Sequence, residues 1–189
     1  MLLVSDQRSP EWFAARQGRI TASLAAACLG EHPHMSPRAA WKAVMGLDKR
    51  KENADMRWGV EREAEAVSAY ELERGLLVWP AGFFVHDEHD WLGASPDGLV
   101  EDDGLLEAKC PRNLPDGIPH HHRIQMLVQL ACTGRAWADY IAWVPPMESI
   151  WRVEADPSEI GELIRRLQEF HQQYIATNME PPIRRGKNV

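Results

Sequence analysis

The sequence predicts an α/β (α+β) protein with one central mixed β-sheet covered by helices on both faces. Two observations support this fold class. Segments with helical periodicity and helix caps dominate the first 75 residues, whereas short segments with strand periodicity follow from Leu76 onward. A helix separates these strands from two more, and an amphipathic helix ends the pattern. This alternation is typical of a sheet packed between helical layers.

Four helices are expected in the N-terminal part of the chain. Ser or Thr stands at the N-cap of three of them, and Pro follows at the first helical position in two cases. Glycines mark the expected ends. The longest helix has Val60, Ala64 and Val67 on one face. The expected helices begin at Ser9-Pro10, span 21–28, run from Ser36-Pro37 to Gly46, and span about 57–74.

Short strands and two further helices are expected after residue 75. The first strand segment is interrupted at Pro80-Ala81-Gly82, and an Asp102-Asp103-Gly104 turn joins two others into a hairpin. Residues 111–119 contain three prolines, which favours a loop. The expected strands are 76–85, 91–94, 99–101, 105–109, 137–144 and 149–153, and the expected helices are 121–133 and 157–177.

The composition is that of an ordinary globular chain and excludes several classes of protein. Of 189 residues, 44% are hydrophobic and 26% are charged, which excludes a disordered chain or a fibre and predicts one domain over 1–189. No apolar run approaches the roughly 18 residues that a membrane span needs, and the short apolar start predicts no secretory signal. Three widely spaced cysteines, Cys28, Cys110 and Cys132, indicate reduced thiols in a cytoplasmic protein.

The net charge of -7 at first argues against nucleic acid as the partner, because phosphate binding favours a basic surface. The charges are unevenly distributed, however. Basic residues concentrate at Lys49-Arg50-Lys51 and Arg184-Arg185-Gly186-Lys187, and acidic residues concentrate in 61–73 and 87–107. The acidic stretches are either solvated faces or ligands of a divalent cation, and composition does not decide between them.

Asp97, Glu107 and Lys109 are the strongest candidates for a chemical site. Side chains alternate between the faces of a strand, so Glu107 and Lys109 point to one side while Leu106 and Ala108 point to the other. The predicted hairpin brings Asp97, at the start of the preceding strand, near Glu107. Adjacent carboxylates repel each other unless a cation lies between them, and oxygen ligands favour Mg²⁺ or Mn²⁺. The alternative is a surface ion pair on a hairpin with an Asp-Gly turn.

Glu63 is a third candidate acid, because it lies about 60° from the centre of the apolar face of the 57–74 helix. A carboxylate at such a boundary is costly unless it is neutralised. Glu63 therefore either joins the metal site or, as a boundary residue, extends to solvent or pairs with a nearby arginine.

Two further groups are candidates for binding. His122, Gln125 and Gln129 form a polar stripe on the otherwise apolar 121–133 helix, and they either bond to buried backbone or line the same cleft. Arg16, Thr21 and Ser23 are candidates for an anion-binding site, in which hydroxyl groups, backbone N–H groups and a guanidinium would contact the anion. The histidines follow no zinc-binding spacing, so zinc is not expected.

Five ordered sequence blocks resemble the phage lambda exonuclease family, the YqaJ-type viral recombinase branch of the PD-(D/E)xK nucleases. The resemblance covers about residues 8–145. Leu127 departs from it, since relatives often have a Gln-x-Gln pair here. The blocks are Glu11-Trp12 with Arg16-Gln17-Gly18-Arg19-Ile20-Thr21-Ala22-Ser23, Trp58-Gly59 with Glu63, Ser95-Pro96-Asp97-Gly98, Leu106-Glu107-Ala108-Lys109-Cys110-Pro111, and Gln125 with Thr133-Gly134.

The resemblance implies a restriction-endonuclease-like core and a Mg²⁺-dependent exonuclease, with Mn²⁺ as a substitute metal. Such an enzyme degrades one strand of linear duplex DNA from the 5′ end. The implied metal ligands and catalytic groups are Glu63, Asp97, Glu107 and the catalytic lysine Lys109. The implied pocket for the 5′-terminal phosphate consists of Arg16, Ser23, Ser95 and Gln125.

The resemblance also implies that the chain forms a ring-shaped homotrimer with DNA passing through its centre. It further implies a single-strand annealing protein as partner and a bacterial or phage-infected cell as the location. A basic channel in the ring would reconcile DNA binding with the net charge of -7. Three alternatives remain: an iron–sulfur nuclease with the same core, a non-catalytic DNA-end-binding protein, and an endonuclease of the same fold. The first needs four cluster cysteines, and this chain has three.

Overall fold

The computed structural model of the protein describes residues 1–47 and 54–183. The predicted basic clusters Lys49-Arg50-Lys51 and Arg184-Arg185-Gly186-Lys187 lie outside the described residues, as does the side chain of Val60. The helices are α1 (Pro10–Arg16), α2 (Ala22–Cys28), α3 (Pro37–Val44), α4 (Ala54–Arg74), α5 (His120–Thr133) and α6 (Pro157–Phe170). The strands are β1 (Leu2–Val4), β2 (Ile20–Thr21), β3 (Val78–Trp79), β4 (Phe83–Val85), β5 (Leu92–Ala94), β6 (Gly98–Val100), β7 (Gly104–Lys109), β8 (Trp137–Val144) and β9 (Met147–Glu154).

The strands form two mixed sheets, with the orders β1-β4-β5-β2 and β3-β6-β7-β8-β9. Pairing is antiparallel except between β2 and β5 and between β7 and β8. The predicted α/β class with mixed sheet flanked by helices is confirmed, but the strands divide between two sheets instead of forming one. The chain changes sheets at Pro80-Ala81-Gly82 and Ser95-Pro96-Asp97, where proline lacks the backbone N–H that a continuous strand requires.

Strand β7 is the third of five strands in its sheet and is covered on both faces. Its six residues pair in parallel with the first six residues of β8. Leu106 and Ala108 pack into one apolar cluster with Tyr70 of α4, whereas Leu105 packs into the other cluster with residues of α5. Side chains therefore alternate along β7 as predicted, and Glu107 lies on the α5 face.

Helix α5 connects the two parallel strands and packs against α2. Small side chains on α2 allow the two helices to approach closely. Five of them are buried in the same apolar cluster as the α5 residues Met126 and Leu130, and they are Ala22, Ala25, Ala26, Ala27 and Cys28. This packing fixes α5 over the face of β7 that carries Glu107.

Strand β8 has the predicted ends, and most of the other predicted elements occur with ends shifted by a few residues. The last helix changes at His171 into a π-helical turn (His171–Ile175) instead of continuing as an α-helix to Thr177. Strands β1 and β2 are not predicted, because two or three residues are too few to show periodicity, and they form through pairing with β4 and β5. Within 1–47 and 54–183, no helix is both long and apolar enough to span a bilayer.

Candidate active site

The β6–β7 hairpin brings Asp97, Glu107 and Lys109 together, as the sequence predicts. The Asp97 backbone N–H donates to the Leu106 carbonyl oxygen over 3.1 Å. The Asp97 carboxylate in turn accepts a hydrogen bond of 2.8 Å from the backbone N–H of Ala108. Lys109 Nζ forms an ion pair with Glu107 Oε1 and lies 4.0 Å from Asp97 Oδ2. Two carboxylates and one ammonium group therefore share one end of β7.

Gly98 allows the chain to pass close to β3 immediately after Asp97. A Cβ at this position would lie 2.1 Å from Cγ1 of Val78, which is closer than real side chains approach. The glycine that follows Asp97 is thus required by packing, and it fixes where the Asp97 backbone enters β6.

Glu107 is fully buried, and each of its carboxylate oxygens accepts a hydrogen bond from a glutamine of α5. Gln125 Nε2 donates to Oε1 over 2.6 Å, and Gln129 Nε2 donates to Oε2 over 2.5 Å. The glutamines are four residues apart and therefore share one helix face. Of the two roles predicted for the polar stripe of α5, these contacts therefore support lining of the site and not hydrogen bonding to buried backbone. Its third member, His122, places Nδ1 2.9 Å from the Tyr140 hydroxyl.

Asp97 lies in an excess of negative charge. Burial raises the pKa of this carboxyl to about 8, repulsion from Glu107 and Glu63 adds to the increase, and Lys109 offsets it only in part. A divalent cation bound here would relieve the repulsion between the carboxylates.

Lys109 remains protonated at neutral pH. Burial alone lowers the pKa of this amine, but the carboxylates of Glu107 and Asp97 more than compensate, so the pKa is raised above its ordinary value. The side chain can therefore donate hydrogen bonds and stabilise negative charge, and it is not a general base in this arrangement.

Glu63 lies on α4 and lines the same open cleft as Asp97. The cleft comprises a part of about 510 Å³ and an adjoining part of about 380 Å³, and Arg8, Glu63, Pro80 and Asp97 line both. Glu63 Oε2 accepts a hydrogen bond of 2.9 Å from Arg8 Nη2. Of the two interpretations drawn from the sequence, the ion pair with an arginine is therefore the observed contact. Sequence reasoning did not identify Arg8 as that partner, because the pair joins distant segments.

Metal binding is predicted for Glu63, Asp97 and Glu107. In the part of the chain that the structure describes, no three His, Cys, Asp or Glu side chains form a metal-binding group. Glu63 instead pairs with Arg8, and Glu107 pairs with Lys109. The donor set nevertheless fits Mg²⁺ or Mn²⁺, because carboxylate oxygens are preferred ligands of these ions and Asp97 carries uncompensated repulsion.

Arg16 and Ser95 are linked through Trp12, which sequence reasoning treated only as part of a motif. The Arg16 guanidinium carbon lies 4.1 Å from the centroid of the Trp12 ring, and Trp12 Nε1 donates to Ser95 Oγ over 2.9 Å. The two α1 residues are four positions apart and share a helix face, which is the signal by which Trp12 could have been found. Ser95 is two residues before Asp97, so this chain of contacts ends beside the acidic site.

The Arg16 guanidinium is available to an anion. Burial lowers the pKa of this group to about 10, so it remains charged at neutral pH. Among the described residues it has contacts with aromatic rings but no hydrogen bond or ion pair. A half-buried cation without an anionic partner is a suitable phosphate-binding group.

Hydrogen bonds among the described residues do not connect all four residues of the predicted phosphate pocket. Ser23 is exposed at the start of α2, with Oγ 3.2 Å from Thr21 Oγ1, and Gln125 is bonded to Glu107. No hydrogen bond joins Ser23 to Arg16, Ser95 or Gln125 in the described ranges. The contacts therefore link Arg16 to Ser95 through Trp12, and they join Gln125 to the Glu107 carboxylate.

Histidines surround the first turn of α5. The ring centroid of His121 lies 4.7 Å from that of His32 and 4.1 Å from that of His122. Burial and then neighbouring positive charge lower the pKa of His121 to about 4 and that of His122 to about 3. Both rings are therefore uncharged at neutral pH.

Asp97 lies before the first strand of a hairpin, and Glu107 and Lys109 lie on the second, within a mixed sheet flanked by helices. This arrangement defines the PD-(D/E)xK nuclease fold. The sequence also matches the YqaJ-like viral recombinase domain over residues 11–136, and the chain belongs to this family.

Solved structures agree with this assignment. The crystal structure of an alkaline exonuclease (LHK-Exo) from Laribacter hongkongensis has a TM-score of 0.76 and 31% identity, covering 91% of this chain and 95% of that chain. The structure of LHK-Exo in complex with dAMP has a TM-score of 0.77. A phage-related exonuclease from Haemophilus somnus 129PT, with a TM-score of 0.61 and 14% identity over 85% of this chain and 96% of its own, agrees in fold.

A viral protein is also similar. An uncharacterized protein of Acanthamoeba polyphaga mimivirus is 25% identical over 162 residues, which cover 72% of this chain and 29% of the viral protein. The chain thus spans less than a third of this curated relative.

Proposed function

We propose that this protein is a metal-dependent exonuclease that degrades one strand of linear double-stranded DNA from its 5′ end and leaves a 3′ single-stranded overhang. The observation that supports the activity most directly is the convergence of Asp97, Glu107 and Lys109 at one end of β7. Membership of the YqaJ-like family and similarity to an alkaline exonuclease support DNA as the substrate.

Asp97 and Glu107 would hold Mg²⁺, or Mn²⁺ in its place, and Glu63 would be a further ligand from α4. When bound, the metal supplies charge neutralisation at the scissile phosphate and a water of lowered pKa. Gln125 and Gln129 orient the Glu107 carboxylate through their amide N–H groups. Because these donors belong to one rigid helix, the orientation of Glu107 is set before the substrate binds.

Lys109 would donate from its ammonium group to the attacking water or to a phosphate oxygen. Its raised pKa keeps the proton in place, so its contribution is orientation and stabilisation of the negative charge that develops on the phosphate. This role needs only the position that β7 gives it, next to Asp97 and Glu107.

Arg16 and Ser95 would bind the 5′-terminal phosphate, with Ser23 and Gln125 as further members of the pocket. Two observations support this role: the Arg16 guanidinium has no ion pair or hydrogen bond among the described residues, and it is linked through Trp12 to Ser95. Placing a terminal phosphate here, two residues from Asp97, would favour 5′-phosphorylated ends over internal sites.

We also propose a homotrimer that encloses DNA, a single-strand annealing protein as partner, and action in the cytoplasm of a bacterial or phage-infected cell. A ring would concentrate basic residues on its inner surface and acidic residues outside, consistent with the net charge of -7. Sedimentation that shows a monomer with undiminished processivity would contradict the ring.

Digestion of three DNA substrates tests the proposed activity. These are a linear duplex with a 5′ phosphate on one strand, the same duplex with 5′ hydroxyls on both strands, and a covalently closed circle, each in Mg²⁺ and in EDTA. We expect Mg²⁺-dependent loss of one strand, fastest for the phosphorylated linear duplex, with the circle intact. Cutting of the circle would indicate an endonuclease of the same fold, and no cleavage in any condition would indicate a DNA-end-binding protein.

A further inference from the structure

Arg8 has an unusual backbone conformation at the edge of the cleft. Its φ is 65°, in the left-handed region that residues other than glycine rarely adopt. Hydrogen bonds hold the turn on both sides of Arg8. Ser9 Oγ donates to the Asp6 carbonyl oxygen over 2.8 Å, and Gln7 Nε2 donates to the Pro96 carbonyl oxygen over 2.7 Å. The turn is therefore attached to the residue that precedes Asp97.

The Arg8 side chain extends from this turn into the cleft and lines both of its parts. It donates to Glu63, and the two side chains are 52% and 32% exposed, so packing does not lock the pair. An exposed ion pair of this kind is weak and easily exchanged.

The charges of the cleft make Arg8 a competitor of the metal ion. Lys109 is already engaged with Glu107 and Asp97, and among the described residues the ion-pair partner of Glu63 is Arg8. A divalent ion held by Asp97 and Glu63 would compete with Arg8 for the Glu63 carboxylate, whose Oε2 atom accepts from Arg8. A guanidinium displaced from a carboxylate can bind a phosphate with the same planar geometry, because both groups present paired oxygens.

We propose that Arg8 exchanges partners: it pairs with Glu63 in the metal-free protein, and it binds a backbone phosphate of the DNA when a divalent ion binds Glu63. This inference depends on the proposed function, since it requires a metal ion and DNA in the same cleft. The turn keeps the guanidinium at the cleft in both states, so metal binding and DNA binding are coupled through one side chain.

The first measurement is calorimetric titration of Mn²⁺ into the full chain without DNA. Arg8→Gly is the main variant, because glycine accepts the positive φ and preserves the turn. We expect Arg8→Gly to bind Mn²⁺ about two- to five-fold more tightly, the scale of an exposed ion pair. This gain in Mn²⁺ affinity must disappear when Glu63→Gln is also present, since Arg8 and the metal ion compete for the Glu63 carboxylate.

The second measurement is equilibrium binding of a 5′-phosphorylated duplex in Ca²⁺ at several salt concentrations. Arg8→Gly is expected to bind DNA more weakly, with the slope of log affinity against log salt smaller by about one phosphate contact. Arg165→Ala is the matched control, because Arg165 is paired with Glu162 and Glu169 on α6 and should change neither measurement.

The outcomes separate this inference from the proposed function. If the wild type binds Mn²⁺ but Arg8→Gly binds it equally or more weakly, the exchange is wrong and the proposed function stands. Unchanged DNA affinity in Arg8→Gly would also overturn the exchange. A wild-type chain that binds no Mn²⁺ would overturn both.

Discussion

The two sides of the candidate active site hold their charged groups in opposite ways. On the strand side, which comprises Glu107, Lys109, Gln125 and Gln129, the carboxylate is fully buried and both oxygens are hydrogen-bonded. The N-terminal side comprises Arg8, Trp12, Arg16 and Ser95 together with Glu63 of α4. Its carboxylate, that of Glu63, is 32% exposed and pairs with Arg8.

This difference indicates that the two sides have different roles. A buried carboxylate with fixed donors has its geometry set by the fold, which suits a group that must orient reacting atoms. Exposed or unpaired guanidinium groups can change partners at little cost, which suits binding of phosphate. Substitutions on the strand side should therefore affect chemistry and stability, and those on the N-terminal side should affect recognition.

The largest expected effect is that of Lys109→Ala. Loss of the ammonium should lower the single-turnover cleavage rate by at least about 100-fold, the scale for removing one charge-stabilising donor, while DNA binding is retained. Lys42→Ala is the control, because Lys42 lies on α3 and pairs with Glu180. Near-normal turnover by Lys109→Ala would refute the catalytic assignment.

Arg16→Ala should change recognition and leave chemistry intact. We expect the preference for 5′-phosphate over 5′-hydroxyl ends to fall by about ten-fold or more, the scale of a charged hydrogen bond. Competition between the two substrates measures this ratio. Arg19→Ala should leave it unchanged, since Arg19 donates to the carbonyl oxygens of Ala15 and Asp90. An unaltered ratio in Arg16→Ala would move the phosphate pocket elsewhere.

Gln129→Leu tests whether the strand side is held by the α5 glutamines. It removes the donor to Glu107 Oε2 with little change in volume, so the free energy of unfolding should fall by about 1–3 kcal/mol. Urea denaturation measures the change, with exposed Gln172→Ala as the control. Unchanged stability would show that Glu107 does not depend on this amide.

The smallest expected effect is a pH dependence of stability from the start of α5. Because the pKa of His121 in the folded state is about 4, the unfolded chain binds more protons below about pH 6.5, and stability is lost as the pH falls toward 4. His121→Phe should flatten this slope in urea denaturation. The comparison with wild type is needed because the raised pKa of Asp97 acts in the opposite direction. Equal slopes would contradict the prediction.

The strand side of the candidate active site could be predicted almost entirely from the sequence. Strand periodicity and one hairpin are local features, and together they place Asp97, Glu107 and Lys109 at one point. The polar stripe on α5 is also a local pattern, although its target, Glu107, follows only from the packing of α5 on β7.

The N-terminal side could not be predicted in the same way. Arg8 meets Glu63 and Trp12 meets Ser95 across long stretches of sequence, and no local period encodes such contacts. The division of strands into two sheets was missed for a similar reason, because β1 and β2 are defined only by their distant partners.

The polarity of degradation tests the central claim most directly. A linear duplex with 5′ phosphates is labelled in one sample near the 5′ end of a strand and in another at the 3′ end of the same strand, and release of label in Mg²⁺ is followed over time. We expect the 5′ label to appear first in small products while the 3′ label remains in long fragments. Release of the 3′ label first, or internal cutting of both samples, would contradict the assignment of this cleft to 5′-end degradation.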